Sequence, residues 1–265
     1  MWRAIKAIIG RDLKRMLRQR GRLVSSLVRP LMWLFVIGSG YQALLSGAGD
    51  YRQFLVPGLL AMVLLFGALL PALSIVYDQE SGVMRMLIVA PFPRYIIILA
   101  RTLSASLIGL IQAALFLMVL AALGYVSLAE PLHFILGLLL TAAACASTGS
   151  LVAVFSKGLE DFAVIMNFVI FPMFFLSGAL YPVNELPLAL KLLASANPVS
   201  YGVDLLKHGM LGGGSAGFRP DFSVLRDLLA LTGYITAGLT AACIRFSQAP
   251  VLESLARILG GSRRT

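Results

Sequence analysis

Six stretches of this chain carry no Asp, Glu, Lys or Arg: residues 30–49, 53–77, 102–129, 131–156, 162–184 and 228–244. Five of them are at least 20 residues long, enough for a helix to cross the ~30 Å of hydrocarbon in a bilayer. The sixth has 17, and Arg226, Asp227 and Arg245 at its ends can snorkel to the interfaces and extend it. The expectation is an all-α integral membrane protein with six transmembrane helices. The competing reading is a large soluble helical core. Only 13% of the 265 residues are charged, against about 25% in soluble domains, so such a core would lack a polar surface to meet water.

The placement of charge sets the expected orientation. Eight cations fall within residues 3–22 (Arg3, Lys6, Arg11, Lys14, Arg15, Arg18, Arg20, Arg22) against one acid, Asp12. Arg257, Arg263 and Arg264 add a basic end. By the positive-inside rule both termini are cytoplasmic, which agrees with an even number of spans. The net charge of +10 therefore points to a membrane surface, not to nucleic acid. The 124–131 connection has no basic residue and fits the outside; the 78–94 connection carries Arg85 and Arg94 and fits the inside. Lys191, Lys207 and Arg219 in the long fifth connection oppose this weakly. Cys145 and Cys243 lie in apolar runs and read as packing residues, not as a disulfide or metal pair.

Three parts follow. Residues 1–22 form a cytoplasmic amphipathic helix: at 100° per residue Trp2, Ile5, Ile9, Leu13 and Met16 share one face, with Arg11, Lys14, Arg15 and Arg18 opposite. It is either a topology anchor on anionic lipid or also a contact for a cytoplasmic partner. Residues 23–247 form the transmembrane domain. Residues 248–265 are a basic cytoplasmic tail. Within the domain, "YDQESGVMRMLIVAPFPRY" at 77–95 reads as a short cytoplasmic helix, with acids at its start and Pro91 and Pro93 as its stop. "TAAACASTGS" at 141–150 is a run of small residues that permits close helix approach.

One segment, "FFLSGALYPVNELPLALKLLASANPVSYGVDLLKHG" at 174–209, is too apolar for an ordinary loop, yet Pro182, Pro187 and Pro198 break it. Pro182 is expected to end the fifth span. Asn184 and Glu185 are expected to cap a short helix, and Asn197-Pro198 to start another. Neither piece is long enough to cross a bilayer. Lys191 and Lys207 each need water or a polar partner.

Motifs for chemistry are sparse. No G-x-x-x-x-G-K-[ST] occurs, and "GGGSAGFR" at 212–219 lacks the Lys and the Ser/Thr. His133 and His208 read as isolated interfacial residues. The uncharged spans hold no Asp or Glu of the kind a proton- or sodium-coupled carrier uses. No convincing internal repeat is seen. The chain is not expected to be an enzyme.

The order is distinctive: basic amphipathic helix, two spans, short cytoplasmic helix, four spans, and a broken apolar segment before the last span. It resembles the ABC-2 family of ABC exporter permeases. Three stretches carry the likeness: "LVRPLMWLFVIGSGY", "YDQESGVMRMLIVAPFPR" with Glu80, Gly82, Arg85, Pro91 and Pro93, and "FFLSGALYPVNELP" followed by "NPVSYGVDLLKHG".

The resemblance implies a transmembrane subunit in a bacterial cytoplasmic (inner) membrane, paired as a homodimer and driven by two copies of a separate ATPase. ATP and Mg would be used by that ATPase; no cofactor is expected on this chain. The 78–94 loop would be the coupling helix, with Glu80, Gly82, Arg85 and Pro91, and with Arg11 and Lys14 beside them, facing the ATPase. Residues 182–210 would re-enter the outer leaflet as a gate, with Pro182, Asn197, Pro198 and Tyr201 at its breaks. Spans two and five would line the path, offering Met62, Phe66, Asn167, Phe171 and Phe174. That surface is apolar with one amide and favours an amphipathic or lipid-linked cargo. The rival classes are a channel or carrier not driven by ATP, and a membrane scaffold of an assembly complex.

Overall fold

The computed structural model describes residues 2–44, 51–83, 93, 95–212 and 220–260. Among them every regular element is helical. Helix α1 is Trp2–Arg18, α2 Arg20–Leu44 and α3 Tyr51–Leu69. A 3-10 turn at Leu70–Ala72, set by Pro71, joins α3 to α4, Leu73–Glu80. Then come α5 Tyr95–Ala122, α6 Pro131–Phe155, α7 Leu159–Phe175, α8 Leu188–Ala196, α9 Pro198–Leu211 and α10 Val224–Gly260.

Five helical stretches are long and apolar enough to cross a membrane: Leu23–Tyr41, Tyr51–Glu80, Tyr95–Ala122, Pro131–Phe155 and Val224–Gln248. They match five of the six uncharged runs. The sixth, expected over 162–184, is shorter: α7 has 17 residues, about 25 Å of helix at 1.5 Å per residue. It stops at Phe175, well before Pro182. Pro172 sits in its last turn, and Gly178 turns the chain at a positive φ of 72°, a conformation that costs glycine little.

A helix that ends inside apolar surroundings must place its last carbonyls elsewhere. Asn197 Nδ2 donates to the Met173 carbonyl at 2.7 Å, and Ser200 Oγ to that of Leu176 at 3.2 Å. Tyr51 OH donates to the Leu180 carbonyl at 2.7 Å. Groups on α3 and α9 thus receive the polar backbone of the turn.

Lipid tails are as apolar as leucine, so close packing, not water exclusion, holds such helices together. The small-residue run on α6 packs against α3 and α9 among its neighbours. On one side Gly149 faces the Leu69 carbonyl, where a Cβ would lie 2.9 Å away. On the other, α9 rests on α6 through Gly202, against Thr141, and Gly209, against Phe134. The chain before α6 is tied to the same place: the Ala129 and Glu130 N–H groups both donate to the Gly209 carbonyl at 3.0 Å.

Several local expectations change. Asp78 and Glu80 do not open a separate loop helix; they continue α4, and Gly82 turns the chain just after it at φ 76°. Asn184 and Glu185 lie in a 3-10 turn with no side-chain cap, and α8 begins after Pro187, also without one. The tail from residue 248 continues α10 as helix to Gly260. On α1, Ile8, Asp12 and Met16 form the buried stripe, while Trp2 lies outside it at 66% exposure.

Candidate functional site: a lined cavity and two polar ends

At one end of the bundle, α1, α4 and α5 meet around Arg101. This side chain is buried, and its Nη1 donates to Asp12 Oδ1 at 3.0 Å and to Ser74 Oγ at 3.0 Å. Its Nη2 donates to Asp78. Arg11 Nη2 donates to the same Asp78 oxygen at 2.9 Å. Asp12 and Asp78 are both buried. A single buried guanidinium is thus shared by a carboxylate on α1 and one on α4. From the sequence, Arg101 is merely the residue before the 102–129 run and Asp12 the odd acid of a basic helix. Their distance in sequence, 89 residues, hid the pairing; an acid on the apolar stripe of α1 was the available signal.

Glu80 lies at the same end. Its carboxylate accepts the Leu159 N–H at 2.9 Å, so it caps the start of α7 from the neighbouring α4. Lys14 is exposed on α1. Arg85 and Pro91 fall outside the described residues. Because Glu80 supplies a cap, Glu80→Ala should cost about 1 kcal/mol, while Glu80→Gln, which keeps the acceptor, should cost less. Thermal unfolding of the two variants in detergent checks this.

Between the ends, a cavity of about 570 Å³ opens between α2, α3 and α7. Met62 and Phe66 line it from α3, and Asn167, Phe171 and Phe174 from α7. Arg29 and Trp33 of α2 complete the wall; neither was assigned to a path from the sequence. The Arg29 guanidinium sits 4.4 Å from the Phe66 ring centroid, a cation–π geometry. Trp33 meets Phe174 edge-on at 5.7 Å, and Phe171 stacks on Phe175 at 6.3 Å. The wall is apolar and aromatic, with one amide and one fixed positive charge.

At the other end, Asn197 caps α9, its Oδ1 accepting from the Val199 N–H at 3.1 Å. Pro198 is the first residue of that helix. Tyr201 OH donates to the Ser195 carbonyl at 2.6 Å, closing the end of α8. Pro182 precedes the 3-10 turn. Asn184 does not cap; its backbone N–H and side-chain amide both bond Asp221, at 3.0 and 3.2 Å. Lys207, expected to need water or a polar partner, is fully buried and has the partner in Asp221 at 3.2 Å, with its ammonium 4.6 Å from the Phe54 ring. Asp227, expected to snorkel, is also fully buried. His208 is not isolated: it gathers with Asp204 and Asp227. Burial pushes the Asp204 carboxyl above the ordinary carboxylate range, against the backbone donors Asp221 and Phe222 that oppose the shift.

The family model for the ABC-2 type transporter matches residues 3–211, which take in α1 through α9 with the cavity and both helices of the broken segment. The chain belongs to the ABC-2 type transporter family. It is 28% identical to nodulation protein J of Rhizobium leguminosarum bv. trifolii over 217 residues, 80% of each chain. It is 29% identical to the inner membrane transport permease YadH of Escherichia coli over 239 residues, 84% of this chain and 89% of that one. As an ABC-2 permease with several apolar helices of spanning length, it is a multi-pass membrane transport protein.

Proposed function

We propose that this permease is the transmembrane subunit of an ATP-driven exporter that moves an amphipathic or lipid-linked substrate across the cytoplasmic membrane of a bacterium. The cavity between α2, α3 and α7 carries the reading. Its apolar and aromatic wall suits an acyl or polyprenyl portion, and Arg29 and Asn167 offer a cation and an amide to a polar head. Membership of the family and its likeness to a transport permease support a transport subunit.

In this reading the chain crosses the membrane six times, through α2, α3–α4, α5, α6, α7 and α10, with both termini in the cytoplasm. Helices α8 and α9, of 9 and 14 residues, re-enter from the outer face and close the path. Two copies of the chain face each other and two copies of an ABC ATPase sit beneath them. The ATPase, using ATP and Mg, meets the region around Gly82 and the basic face of α1. Its closure moves α1 and α4, which share Arg101 with α5, and the movement reaches the cavity through α3. An ion pair spanning three helices suits the transmission of a rigid-body motion.

Purification of the tagged chain from its native membranes in mild detergent tests the proposal. An ABC ATPase should accompany it in equal number, and the complex should hydrolyse ATP. A folded chain that carries no ATPase, and whose transport proceeds without ATP, would sink it. The cavity gives a second check. Phe171 is 56% exposed, so Phe171→Ser should leave thermal stability within about 0.5 kcal/mol while lowering cargo-stimulated ATP turnover several-fold. Asn167→Leu should act the same way, since Asn167 is exposed on the cavity wall.

A further inference from the structure

The outer-end cluster carries more acid than its neighbours neutralise. Asp204, Asp221 and Asp227 are held together with Lys207, Arg226 and His208 at the junction of α9 and α10. Lys207 is matched by Asp221 at 3.2 Å. The Arg226 guanidinium lies over the Phe222 ring at 4.6 Å and near that of Tyr201 at 5.9 Å. Asp204 accepts from two backbone N–H groups, those of Asp221 at 2.5 Å and Phe222 at 2.9 Å. Asp227 has neither. It is fully buried, and both of its carboxylate oxygens lack a hydrogen-bond donor. A buried carboxylate left in that condition is costly.

One ligand atom from each of Asp204, His208 and Asp227 lies within 4.8 Å of the other two. Ligand atoms around one small cation, each about 2.0–2.2 Å from it, are themselves up to about 4 Å apart, so small side-chain rotations complete the set. The Phe222 carbonyl lies 3.0 Å from His208 Nε2. That same nitrogen lies 3.6 Å from Asp204 Oδ2, so it is the ring atom that faces the carboxylates, and on taking up an ion it exchanges the carbonyl for the metal. His208 is the one member with partial exposure, 22% of its side chain, and gives an ion a way in.

We infer that Asp204, His208 and Asp227 bind a divalent transition-metal cation, of the zinc kind, that joins α9 to α10. Two carboxylates and one imidazole form an oxygen–nitrogen set that suits such a cation and leaves a position for water. The ion supplies the partner that Asp227 lacks and ties the short α9 to the last membrane helix. Nothing in the proposal depends on the identity of the cargo.

The test uses the full chain in detergent, stripped with a chelator and dialysed against Zn(II). The expected result is one zinc per chain by elemental analysis, a rise in Tm of several degrees, and visible absorption bands when Co(II) replaces zinc. Asp227→Asn keeps the shape and removes the charge; it should weaken zinc binding roughly tenfold or more. If that variant does not fold, His208→Gln, at the partly exposed member, should show the same loss. His133→Gln should retain the ion. Failure of the wild-type chain to hold stoichiometric zinc or to gain stability would overturn the site, leaving Asp204 and Asp227 to share a proton. Loss of binding in His133→Gln, but not in Asp227→Asn, would place the ion on the Glu130–His133 pair instead and equally overturn it.

Discussion

Replacing Arg101 by Met is expected to destabilise the protein by about 3–5 kcal/mol, the cost of removing one partner from a buried charge pair. The change leaves Asp12 and Asp78 buried, with only Arg11 to serve them. Arg11 is half in solvent, so its attraction is screened and offsets little. The first consequence should be local: α1 should lift from α5, and amide exchange along residues 5–16 should rise. Neutralising the set together gives the contrasting outcome. With Asp12→Asn and Asp78→Asn added to Arg101→Met, no buried charge remains unpaired; Arg11 loses both partners but is half in solvent, and most of the lost stability should return. Thermal unfolding of the single and triple variants separates an ion pair from simple packing. Equal destabilisation by both would mean that the shape of Arg101 matters and its charge does not.

Gly209→Leu is expected to displace α9 from α6. A Cβ at this position would stand 2.5 Å from both the amide nitrogen and the Cα of Phe134, and those are backbone atoms that cannot rotate away. Gly209→Ala alone should cost about 1–3 kcal/mol by overpacking, and the larger side chain more. The damage should spread, because the Gly209 carbonyl accepts the Ala129 and Glu130 N–H groups. The 123–130 connection should therefore become accessible to protease together with α9. Gly233, with no atom near its Cβ position, serves as the control: Gly233→Ala should be neutral or slightly stabilising.

The sequence made the helical class legible because uncharged runs of 20 residues or more have one good explanation. The break at Asn197-Pro198 was equally plain, since Asn is a favoured cap and Pro a favoured first helical residue, and α8 and α9 meet there. The end of α7 was not plain. Pro182 was the strongest local stop, yet the helix ends at Phe175 because Asn197 and Ser200, both more than 20 residues further on, take its carbonyls. The charged residues were misplaced for a related reason. Arg101 and Asp227 each look like interface residues when only their own run is considered. Asp12, the partner of Arg101, and Asp204, the carboxylate beside Asp227, come from elements that only the fold brings near. The cavity residues Met62, Phe66, Asn167, Phe171 and Phe174 lie on one wall, but Arg29 and Trp33, from a helix read as a plain span, share it.

The two ends of the bundle also settle what to measure next. Asn184 is bonded to Asp221, and the 129–130 backbone to Gly209, so the α5–α6 connection, the start of the broken segment and its return lie together. Glu80 and Leu159 lie together elsewhere. Single cysteines at Ser127, Asn184, Ser223 and Lys157, all exposed, placed in a Cys243→Ser background, test this with a membrane-impermeant thiol reagent on intact cells. Ser127, Asn184 and Ser223 should label from outside, and Lys157 only after the membrane is opened. Labelling of Asn184 and Ser223 from opposite sides would mean that the broken segment spans the bilayer, and an outer gate built from α8 and α9 would be contradicted.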